Sequence, residues 1–160
     1  MSTQNDITYN KLTVKHLMHR KRDYIDLLLL ADEEEAMIDK YLTRGDLFVL
    51  FLDDKAVGVI VVTNEGDRVW EIKNMAIASP YQRQGYGKYL INYILDRYSD
   101  LSDKIIVGTG ESPLTIPFYE SCGFTYSHRI PNFFVDNYSE PIFEEGIQLI
   151  DMVYLKKEFN

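Results

Sequence analysis

With 160 residues, 46% hydrophobic and 26% charged, the chain matches one globular domain burying about 70% of its unfolded surface without staples. Its 17 Lys and Arg against 25 Asp and Glu leave a formal net charge of -8, which argues against a general nucleic-acid binder and is compatible with a cationic small substrate. The single cysteine, Cys122, excludes an internal disulfide framework and any multi-cysteine zinc site. The polar start, Met1 to Asp6, lacks the apolar core of a signal peptide. The longest apolar run, Ile25–Ala31, is broken by Asp26 and far short of the ~20 residues a membrane span needs. These features predict a cytoplasmic, soluble protein with neither nucleic acid nor membrane as partner.

No repeat, low-complexity tract or linker marks a boundary, so residues 1–160 read as one domain. Ile7–Thr13 alternates moderately and predicts a first strand. From Val14 to about Leu42 the pattern turns helical, with Leu17, Tyr24, Leu27, Leu28 and Ala31 near 3.6 spacing. The acidic run Asp32–Glu35 suits the start of a second helical piece ending near Gly45. Leu47–Leu52 and Ala56–Thr63, separated by Asp53-Asp54-Lys55, predict a hairpin rich in Val, Ile and Phe. Val69–Ala78 follows as a third strand, ended by Pro80. Gly85-Tyr86-Gly87 leads into a helix whose apolar face is Leu90, Ile91, Ile94, Leu95 and Tyr98. Lys104–Val107 reads as a buried strand, Leu114–Ser121 as a helix closed by Gly123, and Phe124 onward as extended; Gln148–Leu155 is the last strand. Strand, helix, strand, helix in the second half calls for a parallel crossover within an otherwise antiparallel sheet, a mixed α/β (α+β) fold.

The chemistry concentrates in residues 71–90, EIKNMAIASPYQRQGYGKYL. A buried strand ends, two glycines spaced by one follow, and a helix begins at once. Glycines let backbone approach a ligand, and a helix start offers unpaired N–H groups and a positive dipole end for a phosphate or pyrophosphate. Arg83 and Lys88 flank the loop and add charge. A dinucleotide fingerprint would need glycine where Leu90 stands; a P-loop would need Gly at Gln82 and Ser or Thr at Tyr89. A plain strand-to-helix turn is the alternative.

Gln82-x-x-Gly85-x-Gly87 resembles the [Arg/Gln]-x-x-Gly-x-[Gly/Ala] signature of the GNAT acetyltransferase superfamily. Pro117-Phe118-Tyr119-Glu120-Ser121-Cys122-Gly123-Phe124 is similar to that family's second signature, one helix and one strand downstream. The resemblance is strong over residues 71–124 and weak, through element order, over the rest. It implies a mixed, mostly antiparallel twisted sheet flanked by helices, with acetyl-CoA as co-substrate and no metal. It also implies direct transfer to an amine in a ternary complex; the alternative is a non-catalytic acyl-CoA-binding or sensor module. Met75, Ala76 and Ile77 would pair with the pantetheine amides. Arg83, Gln84, Gly85, Tyr86, Gly87 and Lys88 would hold the pyrophosphate. Tyr119 matches the tyrosine that protonates the departing thiolate. Glu71-Ile72-x-x-x-Ala76-Ile77 looks like the strand of the histone-acetyltransferase branch, with the general base at the Glu71 position. Many members carry Asn seven residues before the tyrosine as a cofactor contact; here Ser112 stands there.

A base is needed because a lysine-like amine, with pKa about 10.4, reaches its neutral form at pH 7 only at a cost of roughly 4.6 kcal/mol. A phenol of pKa about 10 keeps its proton at pH 7 and can give it to a thiolate of pKa about 8.5. Against these stand a structural strand glutamate and a packing tyrosine among 12. Cys122 reads as a small buried hydrophobe. His16 and His19, three apart on the predicted helix, make at best an incomplete metal site. His128 reads as a solvent-facing strand residue. The aromatic and acidic segment 131–145 (PNFFVDNYSEPIFEE) is longer than a hairpin needs, and reads equally as an amine-recognising lid or as a packed loop or homodimer contact. Polyamine, aminoglycoside, amino acid, and protein N-terminus or lysine all remain open as acceptor.

Overall fold

Strands apolar on both faces must be covered on both faces, and that condition sets the layering here. The computed structural model describes residues 11–159. In chain order the elements are β1 (Leu12–Leu17), α1 (Ile25–Leu28), α2 (Glu35–Leu42), β2 (Asp46–Leu52), β3 (Lys55–Asn64), β4 (Val69–Ile77) and α3 (Tyr86–Tyr98). They continue with β5 (Lys104–Gly110), α4 (Thr115–Ser121), β6 (Thr125–Ile130), α5 (Phe133–Asn137), β7 (Phe143–Glu144), β8 (Ile147–Gln148) and β9 (Met152–Glu158). The main sheet has seven strands in the order β1-β2-β3-β4-β5-β9-β6; β7 and β8 form a separate hairpin. Every neighbouring pair is antiparallel except β4 and β5. This is the mixed, mostly antiparallel sheet flanked by helices expected from the sequence.

Phe48, Leu50, Ile60 and Val62 face α3, meeting Leu90, Ile91 and Ile94. Leu47, Val49, Val59 and Val61 face α1 and α2, meeting Leu28, Ile38 and Leu42. Both sets are essentially without solvent exposure, which is why β2 and β3 read as continuous apolar runs.

Two expectations are corrected. Val14–Leu17 is strand, not helix: β1 pairs antiparallel with β2 from Leu12↔Leu52 to Leu17↔Leu47. The free edge of β2 outweighs the chance helical spacing of Leu17, Tyr24 and Leu27, and only α1 and a preceding 3-10 turn are helical there. His16 therefore lies on a strand, stacked on Phe48, and the His16/His19 helical pair does not exist. The last strand starts at Met152 rather than Gln148 and runs to Glu158, because Gln148 is taken up in the β7–β8 hairpin. Of the predicted first strand, residues 7–10 lie outside the described residues.

Candidate functional site

The site begins where the sheet opens. β4 and β5 pair in parallel from Val69↔Lys104 to Ile72↔Val107 and no further, although β4 continues to Ile77 and β5 to Gly110. The register of β4 against β3 shifts at the same place: Val62 faces Ile72 and Val61 faces Asn74, leaving Lys73 as the extra residue of a bulge. A bulge raises local twist and bends its strand, so the two strands part here. It also resets the side-chain alternation, and Glu71 and Asn74, three residues apart, come to one face with Thr63 and Val61.

The gap is a cleft of about 950 Å³ that runs through the molecule beside the sheet. At one end the unpaired stretch of β4 carries Met75, Ala76 and Ile77 along its wall, followed by Arg83, Gly85, Gly87 and Lys88. Gly85 caps α3 with φ 89, a left-handed conformation that glycine adopts freely, and a side chain there would meet open space. α3 has no side-chain cap and no acid in its first turn, so its leading N–H groups are free for an anion. The loop is held from below by two amides: Gln82 Nε2 donates to Ile77 O at 2.9 Å and Gln84 Nε2 to Pro80 O at 3.1 Å. Gln84 thus supports the loop, and neither it nor Tyr86 lines the cleft. Gly87 serves packing as well, since a Cβ there would lie 3.2 Å from Phe118 Cζ on α4.

Tyr119 also lines the cleft, 7% exposed, with its ring edge-on to Phe118 and Phe124. Burial pushes its phenol well above the usual range, so it stays protonated. Ser112 is elsewhere. It is buried, its hydroxyl accepts from the Leu114 N–H at 3.2 Å, and it does not border the cleft. The hydroxyls nearest that role are Thr109 and Thr115, which bond each other at 2.7 Å and both line it.

At the other end Glu71 is 4% exposed, with Oε2 against the Lys73 ammonium but receiving no hydrogen bond of proper geometry. Burial lowers the pKa of Lys73, opposed mainly by Glu65 at 3.8 Å. Glu65 is held in turn by Thr63 Oγ1 at 2.6 Å and Arg44 at 2.9 Å. Asn74 donates from Nδ2 to Leu28 O at 2.9 Å and to Tyr41 Oη at 3.0 Å. Tyr41 donates to Asp32 Oδ2 at 3.3 Å, and Tyr138 to Asp32 Oδ1 at 2.9 Å. Segment 131–145 therefore covers the cleft as α5 and β7, tied to the α1–α2 connection. His128 stacks on Tyr154 outside the cleft, and Cys122 is buried in the core.

Spacing in the sequence did not single out Asn74, Lys73, Tyr41 or Asp32. The first two sit inside the quoted segment, but only the bulge makes them neighbours of the cleft.

The acetyltransferase (GNAT) family model matches residues 15–124 of the chain. The uncharacterized N-acetyltransferase YvbK of Bacillus subtilis (strain 168) is 38% identical over 132 residues, covering 81% of this chain and 85% of the relative. A GNAT family acetyltransferase from Elizabethkingia anophelis, solved with acetyl-CoA bound, has a TM-score of 0.88 and 35% identity over 92% of this chain and 98% of that one. An acetyltransferase of Bacillus subtilis in complex with CoA has a TM-score of 0.87 and 34% identity over 94% of this chain and 100% of that one.

Proposed function

The chain belongs to the acetyltransferase (GNAT) family, and from that premise we propose that it transfers the acetyl group of acetyl-CoA directly to a primary amine, both held in one cleft. The observation that carries this reading is the parting of β4 from β5 onto the uncapped N-terminus of α3, with Tyr119 buried beside it.

The residues present fit acetyl-CoA, as bound in the Elizabethkingia relative. At Met75, Ala76 and Ile77 β4 pairs with β3 but has no partner on its β5 side, and that open side suits the amides of pantetheine. The first-turn N–H groups of α3, with Arg83 and Lys88, suit a pyrophosphate, and the bare Cα of Gly85 leaves room for it. When bound, the co-substrate supplies an activated acyl thioester. Tyr119 holds a proton at Oη for the departing sulfur. Glu71, on the wall of the opposite half, takes the proton from the amine directly or through a water. The Lys73 ammonium stands beside it. Ser112 is replaced as a cofactor contact by Thr109 and Thr115. A cytoplasmic location belongs to the same proposal; no described helix is long and apolar enough to cross a membrane.

The test is free-thiol release from acetyl-CoA by the purified protein with and without a panel of amines, alongside calorimetric titration. Amine-dependent release is expected. Saturable binding with no turnover on any amine would make the chain an acyl-CoA-binding module instead.

A further inference from the structure

The proposed acceptor half of the cleft is built from an apolar roof and a polar floor on which Asp32, Arg44, Glu71 and Lys73 are engaged within the protein. The roof is α5 and the segment behind it. Phe133 and Phe134 meet edge-on at 5.4 Å between ring centroids, and Phe134 stacks on Tyr138 at 5.7 Å. All three are half-buried and border the cleft, joined there by the buried Ile142 and Leu149. On a short surface helix, three adjacent rings facing inward leave apolar area that a ligand would cover.

On the floor, the Asn74 amide has a single possible orientation. Leu28 O can only accept, so the atom 2.9 Å from it is Nδ2, and Oδ1 points the other way. That Oδ1 is buried without a partner, on a residue 4% exposed that lines the cleft. Glu71, on the same face of β4, turns its Oε2 to the Lys73 ammonium, so Asn74 Oδ1 is the acceptor here that lacks a partner. A buried acceptor left unpaired is costly, so Asn74 favours a ligand that brings an N–H donor.

The charges around these acceptors are engaged. Both oxygens of Asp32 accept from phenols, Arg44 is paired with Glu65, and Lys73 with Glu71. Glu33 and Lys40 are exposed and opposite in sign. Glu144, half-buried on β7, and the exposed Glu33 are the lining carboxylates that a second ammonium could reach, and the diamine arm of the experiment below reads their effect.

Resting on the proposed function, we infer that the acceptor is a primary amine on an uncharged apolar body, aromatic in preference. An N–H group would go to Asn74 Oδ1, beside the Glu71 carboxylate, and its body would lie under Phe133, Phe134 and Tyr138. A carboxylate on the substrate finds Arg44 and Lys73 already paired, and a second ammonium finds the Asp32 carboxylate taken up.

The experiment measures thiol release at saturating acetyl-CoA with two matched pairs: 2-phenylethylamine against phenylalanine, and hexylamine against 1,6-diaminohexane. Each uncharged-bodied amine is expected to exceed its charged partner at least tenfold in kcat/KM, with 2-phenylethylamine the best of the four. Phe134→Ala should raise KM for 2-phenylethylamine about tenfold, as loss of an aromatic contact surface does, and more than for hexylamine. Preference for phenylalanine or the diamine overturns the inference. So does acetyl-CoA binding with turnover of neither uncharged-bodied amine, which leaves the proposed function standing. Absence of acetyl-CoA binding would overturn both.

Discussion

Tyr119 and Glu71 are both deeply buried, yet their surroundings differ, as do the tasks proposed for them. Around Tyr119 are only rings and the Cys122 thiol, so burial raises its pKa and the proton stays on at any working pH. Tyr119→Phe removes that proton while keeping the ring, and kcat should fall about 10²-fold with little change in acetyl-CoA affinity. Unaltered turnover would return Tyr119 to packing alone. Because its pKa lies far above neutrality, wild-type kcat should show no decline assignable to phenol ionisation up to pH 9. Glu71 instead faces the Lys73 ammonium. Glu71→Gln keeps its shape but cannot take a proton. The loss in kcat/KM should be largest near pH 7, where neutral amine is scarcest, and should shrink toward pH 10. A constant deficit across that range would mean that Glu71 only positions the substrate.

At the level of the elements, the two glycines of the loop have different duties, although the motif presents them as equivalents. Gly85 stands at φ 89 with open space around it, so Gly85→Ala strains the backbone by about 1 kcal/mol and crowds the anion position. Gly87 is at ordinary φ, but its missing Cβ is what lets Phe118 pack; Gly87→Ala should cost about 1–3 kcal/mol through displaced packing. Urea unfolding and calorimetry separate them: the first variant should lose acetyl-CoA affinity out of proportion to stability, the second stability out of proportion to affinity. Equal behaviour would mean that the motif acts as one steric unit. This contrast also shows what was legible in the residues alone. The loop, α3 and the central strands announce themselves by glycine spacing and apolar periodicity, because those signals are local. β1 did not, since its strand character comes from the edge of β2. The bulge at Lys73 did not either, because a bulge is a relation between two strands, invisible in one. Asn74 became part of the site only through that relation.

Across the whole molecule, the insertion between β6 and β9 is fastened to residues 106 and 105 positions away, by Tyr138 on Asp32 and by Ser139 on Glu34. Burial raises the Asp32 carboxyl above its ordinary pKa, more than its hydrogen bonds from Tyr138, the backbone at Glu34 and Tyr41 lower it. A raised pKa means that the folded chain holds this proton more tightly than the unfolded one. The contribution of Asp32 is therefore fully present below about pH 4 and lost as pH rises through the raised value. Glu34, Glu111 and Asp151 are lowered by hydrogen bonds from Ser139, Arg129 and the Asn132 N–H respectively, and act in the opposite sense, losing stability on acidification. Asp32→Asn keeps an oxygen for Tyr138 and removes the titration. Its unfolding free energy minus that of the wild type should increase between pH 4 and 7 and then level off; a pH-independent difference would show that Asp32 titrates as in the unfolded chain. Tyr138→Phe cuts the tie itself. It should cost about 1 kcal/mol. Because the tie holds the roof over the acceptor half and not over the α3 end, KM for the amine should rise while KM for acetyl-CoA stays within twofold. Equal increases in both would mean that the insertion stabilises the whole cleft rather than the acceptor's half of it.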